Sequence, residues 1–323
     1  MDKRLYFFVL LAFLAGCQTP PEIVPEPVLP PPPPVEYDDE IIVEGQRFRT
    51  GTHVVTWKDE GGLNAYVFQP TELAGKENHG VRRLVSPHTD NPLIEPTEPW
   101  NLVGLQNHID QFVLHYDSEG LSHRTFEVLQ RRGLSAHFLL DVDGTIYQTL
   151  DLRERAYHAT VANSRSIGIE IANVGAYPPT ESKELNLWYK TAANGQIVVS
   201  PPPELAKSAG LPAGFVARPV RADPVLGNIN GHGLIQYDFT AEQYVALIKL
   251  TAALHKLFPL IKLDYPRDDK GLLLREKLHE QAWDSFQGVL GHMHIQENKV
   301  DPGPAFQWDH LIEGARAQAE TKE

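Results

Sequence analysis

A single cysteine, Cys17, among 323 residues excludes any intramolecular disulfide, so covalent cross-links cannot stabilise this fold. Basic charge is scarce as well: 29 Lys and Arg stand against 42 Asp and Glu, a formal net charge of −13. Nucleic acid is therefore not an expected partner, because a phosphate backbone is met with a basic face. The acidic residues are spread along the chain without forming a block or tail, which fits a role in solubility. No apolar run reaches the roughly 20 residues that span a bilayer as a helix. No His-Glu-x-x-His pair occurs, which argues against an ordinary zinc peptidase with both histidines on one helix. What remains is an apolar content of 42 %, enough for one large globular domain or two small ones.

The N-terminus reads as an export signal. Lys3 and Arg4 precede the apolar run Leu5 to Leu14, and Leu14-Ala15-Gly16-Cys17 follows directly. This placement resembles the lipobox of bacterial lipoproteins, which implies cleavage before Cys17 and its acylation. Several acyl chains anchor a protein firmly, whereas one alone binds only marginally. Gln18 is not the aspartate that marks inner-membrane retention in many such lipoproteins, so an outer-membrane anchor facing the periplasm is expected. Residues 18 to 40 include Pro20, Pro21, Pro25, Pro27 and the run Pro30 to Pro34, and read as an extended tether.

Globular character begins near residue 41. Ile41 to Val43 and Thr52 to Trp57 are rich in β-formers. Gln111 to Tyr116 predicts a strand, and Ser122 is expected to cap a helix that runs to about Arg132 and ends at Gly133. Ala136 to Leu140 and Ile146 to Leu150 flank Asp143-Gly144, a hairpin signal. Ser166 to Asn173 alternates, with Ile167, Ile169 and Ile171 on one face and Gly168, Glu170 and Ala172 on the other. Thr240-x-x-Gln243 fits a capping box before a helix whose Leu247, Leu250, Leu254 and Leu257 share a face. Strands mixed with helices indicate an α/β (α+β) domain. Residues 175–238 and 263–287 read as insertions.

Fourteen histidines are present, so most are structural or solvated. His115 and His292 each follow an apolar, strand-like run, and Asp301 lies in Lys299-Val300-Asp301-Pro302-Gly303. Two histidines and a carboxylate suffice to hold zinc with one position open. Their scattered spacing does not by itself single them out.

Four blocks carry a resemblance that does: Phe112 to Tyr116 (FVLHY), Ser135 to Gln148 (SAHFLLDVDGTIYQ), Tyr157 to Ile171 (YHATVANSRSIGIEI) and Gly291 to Phe306 (GHMHIQENKVDPGPAF). Together and in this order they resemble the type 2 N-acetylmuramoyl-L-alanine amidases, whose fold is shared with peptidoglycan recognition proteins. The resemblance spans roughly residues 100 to 308. It implies a central mixed β-sheet flanked by helices, and one zinc ion held by His115, His292 and Asp301. It also implies Glu170 as the catalytic glutamate, Lys299 as an active-site lysine and His158 as a substrate contact. His292 is favoured over His294 because the family block begins Gly-His. The stretch from His292 to Asp301 is about one residue shorter than is usual in the family, so its loop shape is open. Arg165 is a candidate for a stem-peptide carboxylate, with an ordinary surface arginine as the default reading, and His137 is expected to be structural.

The implied organisation is a signal peptide over 1–16, a lipidated Cys17 and tether over 17–40, and an N-terminal extension packed on the catalytic domain over 41–100. The catalytic domain covers 101–310, and a polar tail covers 311–323. The expected reaction is hydrolysis of the amide joining N-acetylmuramic acid to L-alanine in peptidoglycan or muropeptides, by a monomer tied to the membrane through Cys17. The alternative is a non-catalytic peptidoglycan-binding lipoprotein of the same fold.

Overall fold

Both faces of the Gln111–Tyr116 and Ser166–Ile171 strands are buried, and that sets the architecture. Phe112, Leu114, Ile167, Ile169 and Ile171 enter the main core, while Val113 points the other way into a second cluster with Leu290 and Trp283. A strand buried on both faces needs cover on both, as parallel sheets do. The computed structural model describes residues 39–72, 75–84, 98–206, 211 and 215–321. The export signal, Cys17 and all but the last two residues of the tether lie outside the described residues.

The sheet has six strands in the order Gly288–Gly291, Gln111–Tyr116, Ser166–Ile171, Phe138–Leu140, Ile146–Gln148, Val54–Thr56. Only the Phe138–Leu140 and Ile146–Gln148 pair is antiparallel, through the Asp143-Gly144 turn; the other neighbours run parallel. The fold is thus a mixed α/β sheet with helices on both faces. Val54–Thr56 is an integral edge strand of that sheet, and the Glu40–Val43/Gln46–Arg49 hairpin sends Ile41 and Val43 into the main core.

One face is covered by the Ala241–Leu257 helix, which buries Leu247, Leu250 and Leu254. Both arms of its capping box form, with Thr240 Oγ1 accepting from the Gln243 amide and Gln243 Oε1 accepting from the Thr240 amide. Packed beside it is the Trp308–Glu320 helix, where a polar tail over 311–323 was expected. Trp308, Leu311, Ile312 and Ala315 recur at helical spacing and all enter the main core, so the folded unit extends to Glu320.

The opposite face is covered by the Ser122–Arg132 helix, whose Leu129 packs on Leu139 and Tyr147. Gly133 ends it with φ 65°, the left-handed conformation that glycine adopts without strain. Ser122 is not its cap. Leu121 holds that position without a side-chain bond, and the Ser122 amide donates to Asp141 Oδ2 at 3.1 Å. A buried carboxylate from the hairpin turn therefore meets the positive end of the helix. It accepts this role while desolvation pushes Asp141 up to about 7.

Arg82 is fully buried, and its pattern was not legible in the sequence. Its guanidinium donates to Leu152 O (3.0 and 2.8 Å), Ser164 O (3.1 Å) and Ser166 O (2.9 Å), tying the entry to the central strand to the preceding loop. Burial lowers it to about 9. Beside it His137 is structural: its Nδ1 accepts from the Gly168 amide, so Nε2–H donates to Glu154 O. Burial and the neighbouring guanidinium bring His137 down to about 3, which keeps it neutral.

Candidate active site

In a parallel sheet the strand ends at the carboxyl edge open onto a crevice, and ligands gather there. His115 lies next to the last residue of its strand and pairs in register with Glu170 on the central strand. His292 follows directly after Gly288–Gly291, the strand on the other side of His115. The chain then turns through His292–His294 and a loop that returns with Asp301. Three distant segments are thereby brought to one end of the sheet. His115, His292 and Asp301 are 2, 5 and 7 % exposed, and their ligand atoms lie within 4.8 Å of one another.

The hydrogen bonds around this cluster determine which imidazole nitrogens carry protons. Ser166 donates its hydroxyl proton to Ala162 O at 2.7 Å, so Ser166 Oγ accepts from His158 Nε2–H at 3.2 Å. His158 Nδ1 is then bare and accepts from His115 Nε2–H at 3.1 Å. That leaves His115 Nδ1 unprotonated, 2.9 Å from Asp301 Oδ2. On the other side His292 Nε2–H donates to Gln296 Oε1 at 2.6 Å, and its bare Nδ1 lies 3.2 Å from the same carboxylate oxygen. Two nitrogen lone pairs facing one carboxylate oxygen repel unless a cation sits among them. This donor set fits zinc, which takes two imidazoles and a carboxylate with a fourth position open, and the outer partners that fix each ring are those a metal site uses.

The charge states agree. Burial, with His292 adding to it, lowers His115 to about 4, so its imidazole is neutral as a ligand must be. Glu170 is half-buried. Desolvation first, then the Asp301 and Asp117 carboxylates, push it well above the ordinary carboxylate value, with Lys299 opposing. That is the direction required of a group that takes up and returns a proton.

His115, His158, Glu170, His292, Lys299 and Asp301 all line one cavity of about 330 Å³. His158 is there as expected, but the contact it makes is with His115, as the partner that orients the ring. Gly168 provides the space, since a Cβ at that position would lie 2.5 Å from the His158 ring. Arg165 is not brought to the cavity. It precedes the Ser166–Ile171 strand, at the end remote from Glu170, and its guanidinium pairs with Asp110 and donates to Asp284 O. His294 is also accounted for: the strand stops at Gly291, and the tight turn points His294 away. Its Nδ1 accepts from the Gly291 amide and its Nε2–H donates to Leu274 O, while burial lowers it to about 4.

Asp117 was missed from sequence. It lines the cavity, accepts from the amides of Glu119, Gly120 and Asn173 and from the Thr125 hydroxyl, and is raised to about 6 by desolvation. Its position directly after a buried strand and ahead of a helix was the available signal. A second groove, of about 1040 Å³, borders the cavity and shares Asn298 with it; Leu278, Trp283 and Ile295 line it together with Glu276, Glu280 and Glu297.

Residues 105–195 match the N-acetylmuramoyl-L-alanine amidase family model. The amidase-matched segment carries His115, His158 and Glu170 and stops short of His292, Lys299 and Asp301. No curated protein matches the chain. Among solved structures, a selenomethionine derivative of AmpD is similar at 18 % identity over 76 % of this chain and 99 % of its own, with a TM-score of 0.32. The N-acetylmuramyl-L-alanine amidase AmiD from E. coli, solved with anhydro-N-acetylmuramic acid-L-Ala-D-γ-Glu-L-Lys, is similar at 16 % identity. That likeness covers 70 % of this chain and 64 % of AmiD, with a TM-score of 0.36. The endolysin amidase LysCS from Clostridium intestinale URNW shares 13 % identity over 66 % of this chain and 86 % of its own, with a TM-score of 0.32.

Proposed function

We propose that this chain is a zinc-dependent N-acetylmuramoyl-L-alanine amidase acting on peptidoglycan or its fragments. The observation that carries the reading is the pair of bare Nδ1 atoms, on His115 and His292, aimed at one oxygen of Asp301 beside Glu170. The family match over residues 105–195 supports the choice of amide. Zinc held by these three side chains would supply Lewis acidity toward the scissile carbonyl and toward water. Glu170, in the same cavity, takes the proton from the attacking water and returns it to the departing amine. Lys299, two residues from Asp301 on the same loop, faces the negative charge that grows on the carbonyl oxygen. The adjoining groove offers room for substrate beyond the scissile bond.

Digestion of purified peptidoglycan tests this. The expected products are stem peptides with a new L-alanine amino terminus and no new reducing sugar ends, read by amine labelling and mass spectrometry. New amino termini only on other residues would indicate an endopeptidase. New reducing ends would indicate a glycosidase, and no release by zinc-loaded protein a binding module.

We further propose a lipid anchor at Cys17, in the outer membrane and facing the periplasm. Among the described residues no helix is long and apolar enough to cross a membrane. Support comes from the position of Leu14-Ala15-Gly16-Cys17 behind the apolar run, and from the proline-rich segment that follows. Cys17→Ser is expected to leave an unlipidated precursor, seen as a mass difference and a loss of detergent-phase partitioning. Wild-type protein carrying no lipid on Cys17 would refute the anchor.

A further inference from the structure

The 175–238 segment, which reads as an insertion, contains a hairpin of the strands Val225–Ile229 and His232–Gln236. Its two-residue turn is Asn230-Gly231, with φ 50° and 80°, the left-handed pair that a two-residue hairpin favours. Ile229 anchors the tip in the main core. The half-buried Asn230 side chain is turned onto neighbouring backbone. Its Nδ2 donates to Met293 O at 3.0 Å and Lys299 O at 2.7 Å, and its Oδ1 accepts from the Lys277 amide at 2.8 Å. Its own amide donates to Arg275 O at 2.9 Å. At the other end of the hairpin the fully buried Gln236 donates from Nε2 to Pro302 O at 3.1 Å, and its Oε1 accepts from the Ala305 amide at 3.0 Å. Gly303 admits it: a Cβ there would lie 2.1 Å from Gln236 Oε1.

The residues gripped by this hairpin are the backbone of the loop that carries His292, Lys299 and Asp301. Asn230 joins its start, at Met293, to Lys299, two residues before Asp301, and Gln236 holds the residues directly after Asp301. We infer that the 225–236 hairpin is a clamp that sets the spacing of His292 and Asp301, with Asn230 as its positioning residue. The inference rests on the zinc reading of the site. Its physical basis is that this loop has little regular structure beyond the His292–His294 turn and the Met293 N–H to Asp301 O bond of 3.1 Å, and here one amide side chain adds a brace from outside that fixes two of its carbonyls and a third segment at once. Such outer partners of a metal site typically carry roughly a 10- to 100-fold effect on metal affinity.

Asn230→Gly isolates the effect, because glycine keeps the left-handed turn and removes only the side chain. Hydrogen exchange on the metal-free full chain is expected to speed up by roughly tenfold or more at Lys277 and across Met293 to Lys299, as loss of hydrogen bonds shared by three segments implies. Zinc affinity, from competition with a chromogenic chelator, is expected to fall by roughly 10- to 100-fold. Asn194→Gly, in the exposed turn of the Tyr189–Thr191/Ile197–Val199 hairpin, should match wild type in both. Unchanged exchange in Asn230→Gly would overturn the clamp. Faster exchange with wild-type zinc affinity would overturn the positioning role. If wild type itself bound no zinc, the metal reading would fall, while exchange in the metal-free proteins would still decide whether the clamp exists.

Discussion

Asp301→Ala is expected to abolish tight zinc binding and amide hydrolysis together while leaving the fold intact. Asp301 Oδ2 is the atom on which both bare imidazole nitrogens converge, at 2.9 Å from His115 and 3.2 Å from His292. Removing it leaves two neutral nitrogens and no negative ligand charge, too few donors for a closed-shell divalent ion at trace concentration. The loss should exceed the roughly 10- to 100-fold that accompanies loss of an outer partner. Chelation of wild type should likewise stop hydrolysis, and added zinc should restore it. Metal content by mass spectrometry, chelator competition and circular dichroism check these points. An Asp301→Ala protein that still held one equivalent of zinc as tightly as wild type would show that the ligands lie elsewhere.

The second large effect is expected at Glu170. Glu170→Gln keeps the size of the side chain and removes its proton chemistry, so turnover should fall by roughly 10²- to 10⁴-fold, the range of a lost general acid–base group. Zinc affinity and binding of muropeptide should stay near wild type, because Glu170 is outside the cluster of three ligand atoms. The environment favours this role. Desolvation and the Asp301 and Asp117 carboxylates raise the Glu170 carboxyl, and Lys299 limits the rise. Single-turnover kinetics alongside zinc titration separates the two properties. Turnover within a few-fold of wild type would make Glu170 a structural residue.

Arg165 and His158 show how far sequence carried the site. Arg165 stands in the YHATVANSRSIGIEI block, five residues before Glu170. A strand separates residues by about 3.3 Å each, so the two lie at opposite ends of the same strand, and Arg165 pairs with Asp110 instead. His158 reaches the cavity, but its neighbours are His115 and Ser166, on two adjacent strands. Which nitrogen each ring protonates follows from a chain ending at Ala162 O, and no pattern of residue types encodes that.

What the sequence by itself determined is local and periodic. The alternation of Ile167, Ile169 and Ile171, the run Gln111 to Tyr116 and the capping box at Thr240 each depend on neighbours a few residues away, and each forms where the pattern lies. The four family-like blocks named the residues of the site through resemblance, without showing how they meet. Tertiary structure alone decided the rest, because those contacts cross long separations: 186 residues between His115 and Asp301, 70 between Arg82 and Leu152, 69 between Asn230 and Lys299. It turned His294 away from the cavity, drew the 311–320 segment into the core as a helix, and set an insertion's turn against the loop that carries His292 and Asp301. Hydrogen-bond partners over such distances are selected by packing of whole elements, since a side chain's polar groups are satisfied by whatever the fold brings within about 3 Å.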